Sequence, residues 1–129
     1  MRTALVALAL LLGAPTMSTA DEASDVPRPP AQESPTDQHA QNAIHAALVA
    51  QMCDELALES DNIVAHLAEV GLSPEQMDDN EFRGLFVSGM FFWGAIAEQD
   101  ERVACGLGEL LFGNRGQEQP DLLRYVGGG

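Results

Sequence analysis

Three histidines, two cysteines and twenty acidic side chains are the groups of this 129-residue sequence that could carry chemistry. A transition-metal site needs imidazoles or thiolates gathered from nearby positions. His45 and Cys53 are eight residues apart, close to one face of a helix. Cys53 and Cys105, however, are an even pair in a chain with the marks of export, and that combination reads as one disulfide. Thiols committed to a disulfide neither bind metal nor attack a substrate. His39 stands alone, and His66 with Glu69, three residues on, makes an ordinary surface pair on one helical turn. The acid pairs Asp54/Glu55, Asp78/Asp79 and Asp100/Glu101 are adjacent in sequence, so they splay around a helix or cap one instead of converging across a cleft. Ser60, Ser73 and Ser88 lie outside any nucleophile elbow. The run CGLGELLFGNRG lacks a preceding strand and a phosphate-loop lysine, and MDDNE lacks the alternating ligands of a calcium loop. No catalytic residue, cofactor or metal is expected, and the chain does not read as an enzyme.

What remains for function is the uncharged stretch GLFVSGMFFWGAIA, from Gly84 to Ala97. As a helix it would span roughly 21 Å, too short for the roughly 30 Å hydrocarbon layer, so it is no membrane span. Phe86, Phe91, Phe92 and Trp93 supply most of the aromatic content of the sequence and are the candidate client or partner surface. A helix apolar all round is ordinarily buried all round, which would make this the central core helix. Its glycines each cost about 1 kcal/mol relative to alanine, so it is helical only while something packs around it. A small domain has limited apolar surface to wrap it with, and the alternative is a helix with one side in the core and the other facing a second copy or a client protein.

The elements that must position these residues follow from capping and period. MRTALVALALLLGAPTMSTA has one Arg, an apolar run and small residues before Asp21, the pattern of a secretory signal peptide (1–20) cleaved after Ala20. This predicts a periplasmic or secreted protein. Losing Arg2 with the leader takes the formal charge from −14 to −15, with no lysine anywhere. Such a surface repels nucleic acid and anionic lipid, and it suits cationic partners or a response to acid. Residues 21–33, acidic and rich in proline, read as a disordered tether. A helical domain over 34–126 opens with Ser34 as cap and Pro35 at the first helical position, and carries Ile44, Leu48, Met52 and Leu56 as an apolar stripe. A break at LESDN, a second helix with Val64, Leu67 and Val70 inward, a stop at Gly71 and a capping box at Ser73/Gln76 come next. Asp100 caps a further helix with Val103, Leu107, Leu110 and Leu111 inward, and Pro120 starts a last short one before the flexible glycines of 127–129. No segment reads as strand. The expected fold is all-α, a small orthogonal bundle of about four to five helices braced by one disulfide.

With its leader, CDELALES, FVSGMFFWGAI and VACGLGELL, the chain resembles the HdeA-type periplasmic acid-stress chaperones, small helical proteins with a single disulfide. The likeness covers about Met52 to Leu111; the helix before Cys53, the lack of lysine and the higher acidity are departures from it. It implies a homodimer near neutral pH that opens in acid and shields unfolding clients with its apolar surface. A second expectation is a periplasmic immunity or inhibitor protein whose acidic face plugs a basic effector. Both work by protein binding.

Overall fold

The structure, a computed structural model, describes residues 27–127; the expected leader and residues 21–26 of the tether lie outside the described residues. Helix α1, Pro35–Met52, begins where the sequence places it. The Ser34 hydroxyl accepts from the Asp37 amide at 3.0 Å, and Pro35 fills the first position, where no N–H is missed. Ahead of it, residues 27–33 form no helix or strand but run along α1, with the Gln41 side chain donating to the Pro30 carbonyl at 2.8 Å and the Gln32 amide donating to Gln38 Oε1 at 2.9 Å.

At Cys53 the helix stops, and Leu56, expected on its stripe, leaves it. Leu56–Leu58 forms strand β1, antiparallel to β2, Leu123–Tyr125, with Leu56 opposite Tyr125 and Leu58 opposite Leu123. The Glu59 amide to the Leu122 carbonyl and the Val126 amide to the Glu55 carbonyl, both 2.8 Å, extend the pairing at either end. The fold is therefore mostly helical but not all-α, and the helix expected from Pro120 is replaced by a turn, with Asp121 at φ 66, and by β2. Three-residue strands contain a single alternation, so period alone could not reveal them.

Helix α2, Ser60–Ala68, buries Ile63, His66 and Leu67, while Val64, expected inward, is exposed. The turn after it closes at Gly71, whose φ of 77 is the left-handed conformation that lets the Leu72 amide return to the Leu67 carbonyl at 2.9 Å. Two 3₁₀ turns follow, Pro74–Asp78 and Asn80–Phe82, the first capped by the Gln76 side chain accepting from the Ser73 amide at 2.8 Å. Helix α3, Arg83–Gln99, and helix α4, Glu101–Phe112, are joined at Asp100, whose carboxylate accepts from the Arg102 amide at 3.0 Å. Hydrogen bonds from Arg102, side chain first and amide second, hold that carboxyl below the usual range. On α4, Leu107 and Leu111 face inward as expected, but Val103 and Leu110 are exposed.

The core helix is α1, not α3. Eight of the 18 residues of α1 are buried, against only Gly89 and Trp93 in α3. Ala40, Ala43 and Ala46 keep α1 slender, so α2, α3, α4 and β1 all pack on it. The disulfide joins Cys53, at the end of α1, to Cys105 in the middle of α4, with both residues buried. One helix turn further on, Gly108 meets Val49 so closely that an added Cβ would lie 2.4 Å from Val49 Cγ1. Val49 is fully buried and has nowhere to move. Gly108→Ala is expected to lower unfolding free energy by about 2 kcal/mol in urea titrations, whereas Gly106→Ala, into open space, should be neutral or stabilising by up to about 1 kcal/mol.

Candidate functional site

The four aromatic residues singled out in the sequence separate in the structure. Trp93 is buried and Phe92 half-buried, their rings meeting edge to face at 5.0 Å between centroids, on the side of α3 that packs on α1. Phe91 points away from it, and Phe86 lies at its edge. With Val87 and Met90, which sequence reasoning passed over, they occupy positions i, i+1, i+4 and i+5 of one helical face. Relative exposures of 43% for Phe86, 43% for Val87, 49% for Met90 and 74% for Phe91 make this a continuous apolar stripe open to solvent. At its end Phe86 also borders a surface cleft of about 240 Å³, walled by Ala43, Ile44, Leu48, Leu58 and Met77 and edged by Asp78. The acidic pairs stay apart from one another, at the bend after α1, between the 3₁₀ turns and at the start of α4.

Behind the stripe lies His45. Trp93 donates its indole N–H to His45 Nδ1 at 3.0 Å, so Nδ1 is the bare nitrogen and the proton sits on Nε2. His45 is fully buried, and its Nε2 has no hydrogen-bond partner. Gly89 allows this arrangement, since a Cβ there would stand 2.8 Å from Nε2. Burial pushes the His45 pKa down from 6.5 to about 4, because an imidazolium in this place would be stripped of water. A proton arriving at Nδ1 would also face the indole N–H donor to donor. Acid thus acts on the contact that seats α3 against α1.

A second cluster joins α1 to α2. His39 and His66 stack with centroids 4.1 Å apart and planes 10° from parallel. His39 Nδ1 meets the Pro35 carbonyl at 2.9 Å, and its Nε2 stands 3.0 Å from Glu69 Oε1. His66 Nε2 stands 3.3 Å from Asn42 Nδ2, and its Nδ1 lies 4.0 Å from the same Glu69 oxygen. Burial lowers the pKa of His66, the neighbouring His39 lowers it further, and Glu69 works against both. The pair His66/Glu69 was visible in the sequence; His39, from another helix, was not.

Among the described residues no helix is long and apolar enough to cross a membrane. The chain matches no protein-family model, and comparison with curated proteins and with solved structures finds no match either.

Proposed function

We propose that this is an exported protein, periplasmic or secreted after loss of residues 1–20, that works by binding other proteins, and that its activity is that of an acid-responsive chaperone. The observation that carries this reading is the stripe of Phe86, Val87, Met90 and Phe91 on α3, which leaves large apolar side chains in water. The buried His45–Trp93 contact beneath it supplies the acid response, since protonation loosens the helix that bears the stripe. The buried disulfide is compatible with an oxidising compartment and keeps α1 and α4 together while α3 shifts. A second reading, an inhibitor of a basic effector, is favoured by the formal charge of −15 that remains after loss of residues 1–20.

The test is suppression of aggregation of two unrelated client proteins near pH 3 and near pH 7, by the wild type and by the Phe86→Ser/Phe91→Ser variant. Both side chains are exposed, so the variant keeps its fold. Acid-dependent protection that falls several-fold in the variant supports the chaperone. Absence of protection at both pH values, with one partner held at neutral pH and released by salt, replaces it with the inhibitor.

A further inference from the structure

We propose that His39, His66 and Glu69 form a binding site for a divalent first-row transition metal, of which zinc is the type, clamping α1 to α2. One atom from each residue, His39 Nε2, His66 Nδ1 and a Glu69 carboxylate oxygen, lies within 4.8 Å of the other two. Two imidazoles and a carboxylate are a donor set suited to zinc, with a fourth position left for water or another ligand. A further observation points to a cation. The Pro35 carbonyl accepts from His39 Nδ1, which leaves Nε2, 3.0 Å from a Glu69 carboxylate oxygen, in place to be shared by a proton or by a metal ion. His66 Nδ1 has no hydrogen-bond partner although its side chain is only 2% exposed, and it is aimed at the same oxygen.

Binding draws the three donors in, because tetrahedral zinc holds its ligands about 3.3 Å apart. His39 and Glu69 are the parts able to move, being 22% and 64% exposed, and His39 must turn out of the stack with His66. Coordination through Nδ1 leaves the proton of His66 on Nε2, so the Asn42 carboxamide, whose Nδ2 is the atom 3.3 Å away, must present its oxygen there instead.

The experiment is calorimetric titration of the oxidised, metal-free protein with zinc chloride at neutral pH, paired with thermal unfolding with and without the ion. His39→Ala and Glu69→Gln are the variants, because both side chains are partly or largely exposed and tolerate change without unfolding the core. The expected result is one saturable site of micromolar affinity, a raised Tm in zinc, and at least about tenfold weaker binding in each variant. Proton NMR should show the His39 and His66 ring signals moving with zinc and not with magnesium. Binding that survives both substitutions and yields to millimolar magnesium belongs to the general acidic surface and overturns the site, as does the absence of saturable binding up to about 100 μM zinc.

Discussion

Reduction of Cys53–Cys105 is expected to lower the unfolding free energy by about 4 kcal/mol. The bridge closes a loop of 52 residues, and the chain-entropy relation for a loop of that length gives this figure. A domain of this size holds roughly 5 to 10 kcal/mol in total, so the reduced chain should keep only about 1 to 6 kcal/mol at room temperature. The position of the bridge adds to the effect. It ties the end of α1, where the chain turns into β1, to the middle of α4, and both sulfurs lie in the core. Urea titrations with and without dithiothreitol, and of Cys53→Ala/Cys105→Ala, measure it. A loss under about 1 kcal/mol would mean that the reduced, unfolded ensemble is already compact enough for the crosslink to restrict little.

Acidification should cost roughly 3 kcal/mol through His45 alone. Its pKa is 6.5 unfolded and about 4 folded, so between those values the unfolded chain binds a proton that the folded chain refuses. Stability from this group is complete above about pH 6.5, falls as pH drops through the interval, and is spent below about pH 4. A pKa difference of that size corresponds to the stated energy at about 1.4 kcal/mol per unit. Trp93 reports the event directly, because its N–H is bonded to the nitrogen that takes the proton. Stability measured from pH 7 to pH 3.5 by urea titration, with Trp93 emission followed alongside, should decline over this window. In His45→Gln the side-chain oxygen can still accept from Trp93 but does not titrate, so the decline should be flattened by most of this amount. An unaltered slope in the variant would assign the acid response to the carboxylates instead.

The parts of the fold legible in the sequence are those fixed by local chemistry. Ser34, Pro35 and Asp37 announce the start of α1, Gly71 ends the turn after α2, and Ser73 with Gln76 caps the first 3₁₀ turn. The cysteine pair followed from count and context. Long-range choices were hidden. Period could not orient α3, because its inner and outer faces are equally apolar; Gly89 marks the inner one only through what it touches, His45 and Leu48. Nor does period show the central role of α1, because its buried set includes the polar residues Gln41, Asn42 and His45. Of the candidate site, the aromatic helix was visible but not which rings face water. His39 and His66, 27 positions apart on two helices, met only through the packing of α1 on α2.

The pairing of Leu58 with Leu123 spans 65 positions of sequence, while every helix between is held by bonds of its own. During synthesis α1 through α4 are complete before the partner of β1 exists. Closing this long loop has to await β2, and until it happens Leu56, Leu122 and Leu123 stand open to water. The half-made chain consequently offers a sticky unpaired strand of its own, and its vulnerability to misassembly peaks just before β2 arrives.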